Sequence, residues 1–185
     1  NRILGTTYPD GEQVRYWYNK GGQLSKMASS YNNVNYNYID SITYNKFEKR
    51  TKICYGNGTK AEYTYDVLQR LVHLKSTSAS GIMQKIESSF DLVNNIKRID
   101  NVAGVLSNGL GGTYRHEYQY DNTYRLTSSN GSWDNNNNSI SYNLNLAYTM
   151  DGRIQTKTQS GSTLIGGNLS SFSYDNQYSY NKTIR

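Results

Sequence analysis

Along much of the chain, aromatic or aliphatic residues alternate with polar ones at a period of two, in short runs that end at turn signals. The plainest case is Tyr118-Gln119-Tyr120-Asp121-Asn122-Thr123-Tyr124-Arg125-Leu126. It predicts a strand with Tyr118 and Tyr120 on one face, an Asp that opens a tight turn, and a return strand that starts at Arg125-Leu126. Tyr63-Thr64-Tyr65-Asp66-Val67-Leu68-Gln69-Arg70-Leu71 repeats it position for position. A looser copy runs from Tyr16 and Tyr18 through Asn19 to Gln23-Leu24. A degraded one begins at Phe90-Asp91 and ends at Ile96. We read Tyr148 to Ile154 as a fifth copy with a shortened turn: Met150 in the aromatic place, Asp151 after it, then Arg153. A sixth is expected to begin at Tyr174-Asp175.

Other punctuation fits the same scheme. Tyr8-Pro9-Asp10-Gly11 is a turn, and a further hairpin is expected between Tyr44 and Tyr55. Asn57-Gly58 is expected to form a type I′ turn, in which both central residues take positive φ. Leu71 to Lys75 reads as strand, Gly104 to Gly112 as an irregular connection, and Asn135 to Asn138 as an exposed loop. The aromatic before each turn recurs at intervals of ~20–50 residues, the range of repeat architectures in which each unit buries its face on its neighbours. The fold class is therefore all-β, built of consecutive antiparallel hairpins.

Composition supports order. Hydrophobic residues make up 35% and charged residues 18%, both low, yet there are 19 tyrosines. Disordered chains are poor in aromatics, and a tyrosine can bury its ring while its hydroxyl finds a partner. A prion-like Asn/Tyr-rich disordered segment is argued against by the period-two alternation and the regular turns. The 20 basic and 14 acidic residues give a net charge of +6, spread singly except around Lys46 to Lys52. No nucleic-acid reader motif accompanies this charge, and no stretch approaches the ~20 apolar residues of a membrane span. We expect no nucleic-acid partner and no membrane span.

Little points to catalysis. The single cysteine, Cys54, allows no internal disulfide and reads as a buried, inert thiol. His73 and His116 lack partners at metal-ligand spacing. Gly109-Leu110-Gly111-Gly112 lacks the setting of a phosphate loop. The Asp and Arg of each unit recur at structural spacing, as a scaffold element does and a single active site does not. Catalytic, cofactor and metal sites are therefore expected to be absent. The chain begins and ends within strand-like sequence, so we expect a piece of a larger protein.

At the Tyr-x-Tyr-Asp…Arg-Leu units, 63–71 and 118–126, supported by 16–24, 90–96 and 148–154, the sequence resembles the YD-repeat, or Rhs (rearrangement hotspot), family. The run from Tyr44 through Gly58 to Asp66 is similar to Rhs proteins of Bacteroidetes-type bacteria. The resemblance implies a spiralling, curved sheet that forms part of a hollow shell, and partners consisting of neighbouring repeats and an enclosed C-terminal toxin domain. It implies a secreted or surface-exposed parent. Pro9 is the only proline, so the Asp-Pro steps of the self-cleaving core that follows the repeats in toxin members are missing, and about six units look too few to close a shell. The alternative is an adhesion or carbohydrate-binding module that presents its tyrosines to glycans or proteins. In the stacked-hairpin reading Tyr120→Ala costs a core-like ~3–5 kcal/mol and Asp121→Asn much less. Equal, small shifts of the denaturation midpoint would count against it.

Overall fold

A computed structural model describes residues 2–107, 109 and 111–180. All of the regular structure in them is β, in fourteen strands. By its contacts the chain divides into two units, 1–85 and 86–185, with the boundary inside one strand.

In the first unit β1 (Gly5–Thr7), β2 (Gln13–Tyr18), β3 (Leu24–Tyr31), β4 (Val34–Tyr44), β5 (Arg50–Tyr55), β6 (Lys60–Tyr65) and β7 (Leu71–Ser78) follow one another as an antiparallel meander. The second unit repeats the plan. The end of β8 (Gly81–Phe90) pairs with β9 (Ile96–Asn101). Then come β10 (Thr113–Tyr120), β11 (Leu126–Asp134), β12 (Ser139–Tyr148), β13 (Ile154–Ile165) and β14 (Asn168–Gln177), each antiparallel to the one before. Local sequence explains this order: short alternating runs separated by tight turns can pair only with their neighbours.

The alternation in sequence is an alternation in burial. In β10, Tyr114, His116, Tyr118 and Tyr120 are half-buried, while Thr113, Arg115, Glu117 and Gln119 are exposed. Among the described residues only Val14, Ile53, Ala61 and Ala103 are buried apolar side chains, and no large side chain is fully buried. The apolar interior of each unit is thus a skin of half-covered rings on one face of a single sheet, not a core between two layers.

Glycine lets those rings lie flat. Gly131 and Gly161 flank Tyr142 on the neighbouring strands. A Cβ on Gly131 would stand 2.1 Å from the Tyr142 ring, and one on Gly161 would stand 2.6 Å from Phe172.

Eight hairpin loops among the described residues close with the same pair of backbone hydrogen bonds, and six of them, those after β2, β4, β6, β8, β10 and β12, add a strand bulge and form the corners of the sheet in each unit. If X is the first loop residue, the amide of X donates to the carbonyl of X+4, and the amide of X+3 donates back to the carbonyl of X. At the corners the X residues are Asn19, Asn45, Asp66, Asp91, Asp121 and Thr149. Residue X+3 has positive φ in each: Gly22, Glu48, Gln69, Asn94, Tyr124 and Gly152. This is a turn followed by a left-handed residue, and the register shifts by a bulge at the end of the incoming strand.

Several expectations need correction. Tyr55 to Thr59 closes with the same two hydrogen bonds, and only Gly58 has positive φ, so Asn57-Gly58 is not a type I′ turn. Positive φ at both central residues occurs instead at Asn32-Asn33 and Gly166-Gly167. The turn after Tyr148 is not shortened: Thr149 holds position X, and Met150 is fully exposed loop. Tyr174 and Asp175 are no corner but lie inside β14, where Asp175 pairs with Thr158 of β13. The Gly-Gly turn that starts β14 falls earlier than the Tyr-Asp step suggested. Cys54 is half-buried, and its neighbour Ile53 takes the buried place.

Tyr124 is the bulkiest side chain in the left-handed position, where non-glycine residues cost roughly 1–2 kcal/mol. Tyr124→Val, being β-branched, is expected to lower stability by about 1–2 kcal/mol. Tyr124→Gly and Tyr124→Asn should remain near the parent. Urea denaturation of the three variants checks the order, and a Val variant as stable as the Gly variant would contradict it.

Candidate functional site

Apart from Tyr174 and Asp175, the residues singled out from the sequence lie at or beside these corners. The carboxylate of position X caps its own loop. Asp121 Oδ1 accepts the amides of Thr123 at 2.8 Å and Arg125 at 3.0 Å, and Arg125 Nε lies 2.7 Å from Oδ2. Asp66 takes the Arg70 amide at 2.9 Å and Arg70 Nε at 2.6 Å. Asp91 accepts the amides of Val93 and Asn95, and the Asn95 side chain fills the arginine's role at 2.9 Å. Asn45 makes the two amide bonds without the charge, and Thr149 accepts the Arg153 amide at 3.1 Å. Asp151 is a turn residue paired with Arg153 Nε at 3.0 Å, with both side chains half exposed.

Residue X−1 joins one corner to another. Its tyrosine hydroxyl donates to the carbonyl of residue X+5 of the preceding corner. Tyr44 donates to Leu24 at 2.8 Å, Tyr65 to Arg50 at 2.9 Å, Tyr120 to Ile96 at 2.9 Å and Tyr148 to Leu126 at 2.7 Å. Tyr18 reaches Ile3, and Tyr180 reaches Ile154, both at 2.8 Å. Phe90 holds the same place without a hydroxyl.

A cation often covers the ring. Lys49, at X+4 of one corner, lies 5.3 Å from the Tyr65 centroid. Arg125 lies 4.6 Å from that of Tyr148, and Arg153 5.0 Å from that of Tyr180. Leu71 and Leu126 begin the return strands as expected. Tyr16, Tyr63 and Tyr118 sit two residues before the latching rings, on the same face. Since Tyr120 is only half-buried, the cost of Tyr120→Ala belongs at the lower end of its range.

Sequence reasoning passed over Thr149, Lys49 and Tyr180. Each carries a motif role in a different residue type, or, for Tyr180, behind the more conspicuous Tyr174-Asp175. It also passed over two polar clusters. Tyr142 Oη lies 3.0 Å from both His116 Nδ1 and Ser129 Oγ, beneath rings stacked along β10. On the opposite face the buried Asp100 pairs with Arg98 and Arg115, each at 2.8 Å. Neither cluster carries the geometry of a nucleophile with its base. His73 is an exposed strand residue. Among the described residues no group of three His, Cys, Asp or Glu side chains is placed to hold a metal ion. Leu110, in the glycine-rich stretch, lies outside the described residues.

Burial alone pushes the Asp121 carboxyl up. The amides of Arg125 and Thr123, the Thr123 hydroxyl and the Arg125 guanidinium outweigh it and hold the group well below its ordinary range. Asp66 is lowered in the same way: burial raises it, and the Arg70 amide and guanidinium prevail. Asp91 is lowered against burial by the Asn95 side chain and amide, with smaller help from the Val93 amide and Lys97.

No protein-family model and no curated protein matches the chain. Solved structures do. A crystal structure of TcdB2-TccC3 with Cdc42 superposes at a TM-score of 0.75 and 21% identity over 91% of this chain. A Tc holotoxin pore of Photorhabdus luminescens, with a substituted TccC3, gives 0.76 and 22% over 92%. TcdB2-TccC3 without its hypervariable C-terminal region gives 0.75 and 21% over 91%. The chain spans 9% of the length of each. The class is thus an Rhs/YD-repeat, shell-type fold; at this identity the likeness speaks to the fold alone.

Depressed carboxyls stabilise the folded chain above their unfolded values, near pH 4, and that contribution is lost as pH falls through the folded values. The melting temperature, followed by circular dichroism, should therefore hold from pH 7 to about 5 and fall below about pH 4. The fall should be shallower in an Asp66→Asn, Asp121→Asn double variant. An unchanged acid slope in that variant would show that the corner carboxylates do not carry the effect.

Proposed function

We propose that the chain is a non-catalytic wall segment of a larger YD-repeat shell, which encloses or scaffolds a C-terminal toxin domain in a secreted bacterial protein. One observation carries this reading. The same corner recurs through both units, latched to its predecessor wherever a tyrosine stands at X−1, in a fold that matches nine-tenths of this chain to a small part of far longer shell-type proteins. A corner assembled from capping and latching groups builds wall. Its carboxylates are engaged in closing their own turns, which leaves them poorly placed for acid–base chemistry on a substrate.

The test is limited proteolysis of the full parental polypeptide. A C-terminal segment that resists digestion while the repeats are folded, and is cut once they are unfolded by denaturant, is the expected result. A C-terminal segment cut at the same rate in both states would overturn enclosure. Saturable binding of this chain to members of a glycan array would instead favour an adhesion module.

A further inference from the structure

The corners set out a pattern, and one step departs from it in a way that leaves a place open. At three steps the residue at X+4 is a cation that lies over the next latching tyrosine: Lys49 over Tyr65, Arg125 over Tyr148 and Arg153 over Tyr180. At the first two the same cation also reaches a loop carbonyl of the next corner. Lys49 Nζ donates to Gln69, and an Arg125 guanidinium nitrogen lies 3.5 Å from the Thr149 carbonyl oxygen. Two steps have no cation at X+4, because Gln23 precedes Tyr44 and Asn95 precedes Tyr120.

At the second of these the place is a cavity of about 610 Å³ between the corners of Asp91 and Asp121. Asp91, Asn95, Lys97, Tyr120, Asp121 and Tyr124 line it. The Asn95 amide is turned back onto Asp91 Oδ2 at 2.9 Å and so does not reach across as an arginine would. The Tyr120 hydroxyl is fixed on Ile96, which holds its ring in the latched position of the other corners. At the rim stands Tyr124, 60% exposed and at φ 64°, the one aromatic in a left-handed position otherwise filled by Gly, Glu, Gln or Asn. Strain of this kind at a cavity mouth marks a place to look for a ligand.

We propose that this cavity takes the guanidinium group of an arginine side chain presented by a partner polypeptide. The group stacks on Tyr120 as Arg125 stacks on Tyr148. Its N–H groups meet the loop carbonyls of Asp121 and Tyr124, the counterparts of those met by Arg125 and Lys49. A guanidinium suits the place better than an ammonium because it is planar, stacks on aromatic faces and is less strongly hydrated. Of the charges around it, Asp91 and Asp121 attract and Lys97 repels, but both carboxylates are already engaged, Asp91 by Asn95 and Asp121 by Arg125. Ring stacking and carbonyl acceptors therefore contribute more than net charge. The inference does not rest on the enclosing role proposed above, since an open corner can receive an arginine in any parent protein.

The experiment uses N-acetyl-arginine methylamide as the probe and N-acetyl-citrulline methylamide, its neutral isostere, as the control. Each is titrated into the isotopically labelled chain and followed by amide chemical shifts. The expected result is saturable shifts at Asn95, Asp121 and Tyr124 with the arginine probe, and binding at least about tenfold weaker with citrulline. Asn95→Arg fills the place from within, so it should abolish the shifts and raise the melting temperature. If that variant does not fold, Tyr120→Leu keeps the bulk, removes the ring face and should also abolish binding. No shifts with the arginine probe, equal binding of citrulline, or binding undiminished in whichever variant folds would each overturn the proposal.

Discussion

A sheet whose apolar cover lies on one face, as in each of the two units, has few ways to hold its strands in register, and here the bond from a tyrosine hydroxyl to a backbone carbonyl one corner earlier is the most regular of them. Hydrogen bonds between strands fix neighbours only pairwise. The ladder stops short of the corners, and a latch from Tyr65 to Arg50, or from Tyr148 to Leu126, carries the pairing of the same two strands on to the start of the earlier return strand. Each such bond contributes about 1 kcal/mol. Each also fixes where its ring lies, and the half-buried rings add to the apolar cover of the face. With only four buried apolar side chains among the described residues, the half-covered tyrosines stand in for a core.

The latch requires the corner to present its carbonyl at a constant place, and the loop provides this. A turn followed by a left-handed residue fixes the path from X to X+4. The side chain at X then satisfies the loop amides that no strand can reach. Asp does this with a charge to spare for the arginine, Asn does it without one, and Thr149 does part of it with a hydroxyl. The geometry tolerates these exchanges because the backbone bonds remain and only the cap weakens. The likeness in fold to much longer toxin-complex proteins holds at about one identical residue in five. A corner asks for a few groups at fixed offsets and leaves the strand faces free to vary.

Those offsets make the fold readable from the sequence. Tyr-x-Tyr-Asp followed by Arg-Leu at 63–71 and 118–126 marks strand, turn and return without ambiguity, and the looser copies at 16–24 and 90–96 fall where expected. What could not be read was role carried by an unexpected residue type. Thr149 is a cap by geometry and not by composition, so Met150 and Asp151 drew attention away from it. Tyr174-Asp175 has the motif's letters, but in a strand whose residues are all exposed to some degree and whose position is set by Gly166-Gly167. The open place beside Tyr120 was invisible for a further reason. It depends on what Asn95 does not reach, and only the neighbouring corners show what ought to be there.

The latch also has a direction. In each case the hydroxyl belongs to the later hairpin and the carbonyl to the earlier one, so every acceptor lies closer to the N-terminus than its donor. As the polypeptide leaves the ribosome, a new hairpin meets a fastening point that has already been synthesised, and none has to wait for sequence still to come. Such a protein can be laid down course by course during translation, which spares a long, edge-rich β-structure from holding many unpaired strands at once.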